Sequence, residues 1–302
     1  MVGQGIGKLT RDTRIAVALS LAAAMIFALG APLSRVAKPI TAAEVTFWRL
    51  VLAMLVALVV VVVSRVPIAN ICSPRMLVLG ATLYAHFLLF TLAAQTTTTA
   101  HTLALVYTSP VLVALGSALV LREPPCFRQI IGVIVVVVGV AVLVGFEPTA
   151  TGATLAGDLA AVGSGSALAA YVLASRYYRR TMPLAAYVFS VYGWAAIWAL
   201  PWAAVVFDGE VYTGDRITAI ILLGVVSLGI GHTLLNAALR RARATIPNVI
   251  TTQEVTGGVV LGALMYGDIP GWTTLLGALV ALAGVIMVIT FASRNGRTEV
   301  VA

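Results

Sequence analysis

Long apolar stretches separated by short polar segments run through almost the whole chain. Each stretch is about twenty residues long, which is the length an α-helix needs to cross a hydrocarbon core of about 30 Å. We number the predicted spans 1 to 10: residues 15–31, 42–64, 76–94, 100–121, 129–145, 159–178, 184–207, 217–239, 246–265 and 272–292. The pattern therefore predicts an all-α membrane protein with ten transmembrane helices.

Composition agrees with this prediction and changes the interpretation of the charge. Hydrophobic residues make up 61% of the 302 residues and charged residues 10%, where soluble domains have roughly 25% charged residues. The net charge of +8 could suggest a nucleic-acid partner. However, the Lys and Arg residues lie in short clusters between the spans, which is typical of topology signals in a lipid bilayer. We therefore expect no nucleic-acid partner.

The basic clusters also predict orientation. With the N-terminus in the cytoplasm, the cytoplasmic segments hold fifteen Lys and Arg residues, whereas the external loops hold only Arg35, Lys38 and Arg216. Cytoplasmic loops are enriched in basic residues. We therefore expect a multi-pass protein of the plasma (inner) membrane with both termini cytoplasmic.

An internal repeat relates the two halves of the chain. A shift of 145 residues aligns the segment 107–142 with a similar segment, pairing acid, Pro, Gly and Gly in order: Glu123/Asp268, Pro125/Pro270, Gly132/Gly277 and Gly139/Gly284. With five helices per half, the second half must enter the membrane inverted. We predict two inverted five-helix repeats, at 15–146 and 158–293, joined by an external linker, 147–157, and flanked by cytoplasmic segments 1–14 and 294–302.

These features resemble those of a known family. The phrase LVYTSPVLVALGSALVLREPP, the trailing Gly132 and Gly139, the triplet Phe47-Trp48-Arg49 and the duplication resemble the EamA-type ten-helix exporters of the drug/metabolite transporter superfamily. The resemblance implies a helical bundle with a cavity between its halves. It also implies export of small metabolites such as amino acids, and helices 5 and 10 that support the bundle without lining the cavity.

The chain departs from the family pattern in span 9. The resemblance leads us to expect Glu-Pro there, matching Ser109-Pro110 of span 4, but the sequence reads Glu254-Val255. Pro110 removes a backbone hydrogen bond and is expected to kink span 4. Val255 cannot do the same, so we expect no matching kink in span 9.

Two ionisable residues lie deep within predicted spans, where charge is costly and usually functional. Glu254 lies roughly 13 Å into span 9, on one helix face with Thr251 and Gly258. It could meet an amino group of a solute, carry a proton, or serve as a structural partner. Arg49 in span 2 could reach the membrane surface, pair with Glu44, form a gating or structural ion pair with Glu254, or contact the solute.

A second set of polar and aromatic residues could line a cavity or bond one helix to another. These candidates for solute binding, with Glu254, are Tyr84, His86, Tyr107, Ser164, Tyr171, His232 and Asn236. The histidines lack the short spacing of metal ligands. We therefore expect no metal and no cofactor.

The duplication favours a secondary-active or facilitative transporter that exports a small organic metabolite, an amino acid or a related compound, by alternating access. The absence of a phosphate-binding Gly-rich loop excludes ATP hydrolysis within this sequence. A membrane-embedded enzyme acting on a lipid would need clustered acids or histidines at the membrane surface, and we find none in the sequence, so we expect no enzyme. A channel or a scaffold is a further alternative. Proton coupling, and a monomer or a homodimer, remain open.

Overall fold

The structure is a computed structural model that describes residues 10–67, 73–97, 99–144, 152–178, 182–266 and 271–295. Its described part is helical. The α-helices are α1 (Arg11–Phe27), α2 (Gly30–Val36), α3 (Ala42–Val63), α4 (Pro74–Thr96), α5 (Thr99–Val106), α6 (Ser109–Leu119), α7 (Phe127–Val144), α8 (Gly152–Tyr178), α9 (Leu184–Val206), α10 (Gly214–Ile221), α11 (Thr233–Leu239), α12 (Thr245–Thr251), α13 (Glu254–Tyr266) and α14 (Trp272–Asn295). A π-helix (Leu222–His232) joins α10 to α11, and a short 3₁₀-helix (Gly209–Val211) precedes α10.

These elements correspond in order to the ten predicted spans. In the described residues, six segments are long and apolar enough to cross a membrane: Arg11–Val36, Ala42–Val63, Pro74–Thr96, Leu155–Tyr178, Leu184–Val206 and Gly214–Leu239. Spans 5 and 10 contain shorter apolar helices, and span 4 contains Ser109–Leu119. The all-α membrane fold is confirmed.

In the described residues four spans depart from a continuous α-helix: spans 1, 4 and 9 are broken, and span 8 contains a π-helix. Span 1 breaks between α1 and α2, where Pro32 has no N–H for the carbonyl of Ala28. Span 4 breaks between α5 and α6 at Thr108, two residues before Pro110. Span 8 contains the π-helix, a geometry often found at functional sites.

Span 9 breaks as well, and here the sequence-based prediction was wrong. No proline is needed, because threonine hydroxyls bond back to the helix. Thr251 Oγ1 donates to Asn248 O at 2.8 Å and Thr252 Oγ1 to Val249 O at 2.7 Å. Such back-bonding bends helices, and Gln253 N donates to the carbonyl only three residues before it, at 3.1 Å.

The two breaks are equivalent by the internal repeat. α5 ends at Val106 and α12 ends at Thr251, 145 positions later; α6 begins at Ser109 and α13 at Glu254, again 145 positions later. Span 4 uses the same hydroxyl bond, because Thr108 Oγ1 donates to Leu105 O at 2.8 Å. Matching kinks in spans 4 and 9 are therefore a property of the fold.

The last helices of the two repeats, α7 and α14, pack antiparallel through small residues. A methyl group added at Gly132 would lie 3.1 Å from Gly284 O, and one at Gly139 would lie 2.3 Å from Ala281 N. The order of contacts runs in opposite directions along the two helices. Repeat-equivalent helices that run antiparallel are what inverted repeats require.

Polar contacts at the helix ends fall on two faces. On the first, which we call the basic face, Arg176 pairs with Glu123 at 2.9 Å, and the guanidinium carbon of Arg128 lies 5.1 Å from the ring centre of Phe291. On the opposite face, Glu44 accepts hydrogen bonds from Asp208 N at 3.3 Å and Tyr212 Oη at 3.0 Å. Both faces are thus closed by contacts between the repeats.

Candidate functional site

A small cavity lies between the two repeats, close to the helix breaks. Eight residues of the first repeat and seven of the second line it: Phe27, Gly30, Arg49, His86, Phe87, Phe90, Val106, Tyr107, Leu168, Ser227, His232, Leu235, Asn248, Thr251 and Glu254. The space open to a water-sized sphere is about 30 Å³, enough for roughly two water molecules. A solute larger than water would therefore have to widen this cavity.

Arg49 projects from α3 into this cavity and is 2% exposed. Its Nη2 donates to Ser227 Oγ at 3.0 Å, and its guanidinium carbon lies 4.1 Å from the centre of the Phe87 ring. A cation over an aromatic face is attracted by the ring quadrupole. The guanidinium is thus held by a hydroxyl and a ring.

Neither ion pair considered for Arg49 forms, and the residue does not reach the surface. Within the described residues, no nitrogen of Arg49 lies within 4.0 Å of a carboxylate oxygen. Glu44 instead completes a capping box at the start of α3, accepting from Thr41 N at 3.2 Å and from Thr41 Oγ1 at 2.7 Å. Arg49 and Glu254 therefore face one cavity without touching.

Glu254 is the first residue of α13, directly after the break in span 9. Its carboxylate accepts a hydrogen bond from the phenol of Tyr107, which also lies within 3.2 Å of Thr251 O. Tyr107 belongs to the equivalent break in span 4. A side-chain contact between the repeats thus joins the two breaks at the cavity wall.

Two histidines and three phenylalanines form another wall. The His232 ring lies 4.4 Å from the Phe27 ring, 4.9 Å from the Phe87 ring and 6.1 Å from the His86 ring, centre to centre. His86 Nδ1 is fixed by Ser164, whose Oγ is at 2.9 Å and whose carbonyl oxygen is at 3.1 Å. The wall combines aromatic faces with imidazole groups.

The structure brings together five of the nine candidate binding and ion-pair residues at the cavity surface. Arg49, His86, Tyr107, His232 and Glu254 line it, whereas Ser164, Tyr171, Asn236 and Tyr84 do not. Behind the histidine wall, Asn236 Nδ2 donates to Tyr171 Oη at 2.7 Å and to His232 O at 2.8 Å. Tyr84 is partly buried against the apolar core away from the cavity.

Two polar lining residues were missed by the sequence-based prediction, Ser227 and Asn248. Each is a buried polar side chain in an apolar span, so the signal was present, although it is weaker than that of a charged residue. The lining phenylalanines give no such signal in a chain this apolar. Among the described residues, no three His, Cys, Asp or Glu side chains form a group that could hold a metal ion.

The fold and the site together define a class of protein. Inverted repeats of membrane helices, broken near a polar cavity at the repeat interface, are the construction of secondary transporters. Comparison with known sequences agrees. The profile of the EamA-like transporter family matches residues 14–145 and 155–290, one match in each repeat.

The chain belongs to the EamA-like transporter family, within the drug/metabolite transporter superfamily. It is a membrane transporter of small solutes. No curated protein matches the sequence. A solved structure titled "Crystal structure of protein" is similar in fold, with a TM-score of 0.79 and 18% identity over 93% of this chain and 98% of that one.

Proposed function

We propose that the protein is a secondary-active or facilitative transporter that exports a small organic metabolite, an amino acid or a related compound, across the cytoplasmic membrane. The single observation that carries this proposal is the closed cavity between the repeats, which holds a buried cation, Arg49, and a buried carboxylic acid, Glu254, that do not touch. Aromatic, imidazole and aliphatic side chains form most of the rest of its wall.

Alternating access follows from where the cavity lies. Its lining comes from both repeats, so any tilt of one repeat against the other changes its access. The breaks in spans 4 and 9 are available as hinges, because several backbone N–H groups at each break donate to the carbonyl three residues back instead of four. With both termini in the cytoplasm, the basic face is the cytoplasmic face and opens to load the solute.

Proton coupling is a second element of the proposal, and Glu254 is the candidate carrier. Its carboxyl group is buried, faces the cavity and accepts one hydrogen bond from Tyr107. It can therefore be exposed to one side at a time as the repeats tilt. We expect Glu254→Gln to abolish export driven by a proton gradient in everted vesicles. Unchanged transport with unchanged pH dependence would remove Glu254 from the mechanism.

Counterflow in liposomes tests the proposed function. The purified full chain is reconstituted with an internal pool of the twenty amino acids, and entry of each labelled amino acid is followed. We expect saturable, competed entry of at least one of them. Phe87→Ala should weaken it because Phe87 forms the cavity wall. The matched control is Tyr84→Ala, an aromatic truncation three residues away and outside the cavity, which should leave it unchanged.

The alternatives give different results in the same assay. A channel would give flux that rises linearly with concentration and shows no counterflow. A lipid-modifying enzyme would give no flux and would change the lipids, which mass spectrometry of the liposomes would detect. No entry of any amino acid would contradict the proposed cargo.

A further inference from the structure

We infer that Arg49 is the anchor for a carboxylate group of the transported solute, with Ser227 as its positioning residue. This inference deepens the proposed function and rests on it for the transport part. It starts from the hydrogen-bond state of Arg49. The Nε and Nη1 atoms are buried and have no hydrogen-bond partner among the described residues, although the side chain is held in place through Nη2.

Unpartnered buried donors of this kind need an explanation, because nearly all buried polar groups in proteins are hydrogen-bonded. The cost of burying a charged group without partners is higher still. A structural role for Arg49 would be met by a carboxylate in contact with it, yet Glu44 is bonded elsewhere and Glu254 stays beyond 4.0 Å. The missing partner is an anion that enters the cavity.

The geometry of the group selects the kind of anion. A guanidinium binds carboxylates through two parallel N–H bonds along one edge. One edge of Arg49 pairs Nε with Nη2 and the other pairs Nη1 with Nη2, so each edge has one unpartnered nitrogen. The Nη2 group carries two hydrogens and gives only one to Ser227. The Ser227 bond uses the Nη2 hydrogen of one edge, so the other edge keeps two free N–H groups and can take a carboxylate while that bond is kept.

Another part of the lining offers acceptors for a positive group. Glu254 contributes its carboxylate, and Asn248 contributes a buried Oδ1 that has no hydrogen-bond partner among the described residues. Both residues lie in span 9, whereas Arg49 and Ser227 lie in spans 2 and 8. A solute with a carboxylate and an ammonium group satisfies both sets of groups at once.

Charge balance favours such a zwitterion over a simple anion or amine. When Glu254 has released its proton, its charge and that of Arg49 sum to zero in the cavity, and a zwitterion leaves that sum unchanged. An amine or an anion alone would leave one net charge in a buried site, which is costly. Much of the other lining is apolar, with Phe27, Phe90, Leu168 and Leu235 among its side chains. The preferred solute is therefore a small amino acid with an apolar side chain.

Direct anion binding tests the anchor independently of transport. The full chain with ¹⁵Nε-labelled arginine in nanodiscs is titrated with sodium acetate, the probe, and with sodium chloride at matched ionic strength. One arginine signal, identified by its loss in Arg49→Lys, should shift saturably with acetate and not with chloride. The anchor is overturned if acetate leaves that signal unmoved or if chloride moves it equally.

Transport then tests selectivity. Each amino acid carried in the counterflow assay is compared with its methyl ester, which lacks the carboxylate. We expect the ester to compete about 100-fold more weakly in the wild type, since a charge-assisted hydrogen-bond pair is lost. In Arg49→Gln that ratio should fall to near one, and in Ser227→Ala it should fall partway. A merely structural Arg49 would weaken acid and ester equally and leave the ratio unchanged.

The acetate titration and the ester comparison together distinguish a failure of the anchor from a failure of the proposed function. A saturable acetate shift without transport of any amino acid would keep the anchor and refute the proposed cargo. Amino acid transport in which the ester competes as well as the acid would keep the proposed function and overturn the anchor. The ester comparison in the wild type needs no variant, and the acetate titration needs only the conservative Arg49→Lys to assign the signal. A failure of Arg49→Gln to fold therefore leaves both outcomes readable.

Discussion

Replacing Gly139 by alanine should weaken the packing of α7 against α14. The added methyl group would lie 2.3 Å from Ala281 N and 2.7 Å from its Cα, whereas ordinary contacts begin near 3.4 Å. The two helices must therefore move apart by about 1 Å, because the obstacle is backbone and cannot rotate away. Overpacking costs about 1–3 kcal/mol, and alanine returns about 1 kcal/mol through its helix propensity. We expect a net loss of up to about 2 kcal/mol.

The matched control is Gly193→Ala in α9. A methyl group there would lie 3.5 Å from Met54 Sδ, an ordinary contact with a flexible side chain. Both variants are heated as the purified full chain in detergent, and the folded fraction is read by size exclusion. Gly139→Ala should lower the apparent Tm by up to about 3 °C, while Gly193→Ala should leave the Tm unchanged or raise it.

A measurement of solute affinity shows whether α7 and α14 only support the fold or also take part in solute binding. None of the lining residues of the described cavity belongs to α7 or α14. The folded fraction of Gly139→Ala should therefore bind its solute with unchanged affinity. Equal stability of the two variants, or a loss of affinity in Gly139→Ala alone, would refute the packing argument.

Two further predictions concern the contacts that close the faces. On the basic face, Glu123 and Arg176 are each 11% exposed, and Arg176 donates two N–H hydrogen bonds to Glu123, at 2.9 and 3.3 Å. A double-mutant cycle with Glu123→Gln and Arg176→Gln, measured by thermal unfolding, should give a coupling free energy of about 1–3 kcal/mol. Additive effects of the two substitutions would contradict this coupling. On the opposite face, burial raises the pKa of Tyr212 to about 12. Because the neutral phenol is favoured in the folded state, its contribution to stability is complete below about pH 10, the unfolded pKa, and is lost as pH rises towards 12. Tyr212→Phe should remove that part of the pH dependence of Tm, and identical curves for the two proteins would contradict the assignment.

The number, order and type of the helices were predictable because each depends on a signal about twenty residues long. The breaks were not equally predictable. Pro110 predicts the break in span 4 from the sequence alone. The break in span 9 depends on Thr251 and Thr252, whose hydroxyls donate to backbone carbonyls only once the helix has formed. The presence of threonine in a sequence does not show whether its hydroxyl will bond to a backbone carbonyl. Val255, in the place of a proline, predicted an unbroken helix.

Residues that line the cavity could be predicted where charge or strong polarity contrasts with an apolar span, as for Arg49, His86 and Glu254. Where the helix face had to be known, the sequence did not identify the lining residue. Tyr84 and His86 are two positions apart, so about 200° separates them around the helix. His86 faces the cavity and Tyr84 does not. Which residue points inwards is set by packing between helices, and a single span carries little information about that.

The equivalent breaks also explain how a symmetric fold can hold an asymmetric site. Ser109 and Glu254 begin the second halves of spans 4 and 9 at the same position of the repeat. Both are buried, but only Glu254 lines the cavity as a carboxylic acid, and Ser109 Oγ has no hydrogen-bond partner among the described residues. Arg49, from a different span, supplies the opposing charge. In the proposed mechanism the backbone hinges work symmetrically on the two faces, while the charges hold a solute in one orientation throughout.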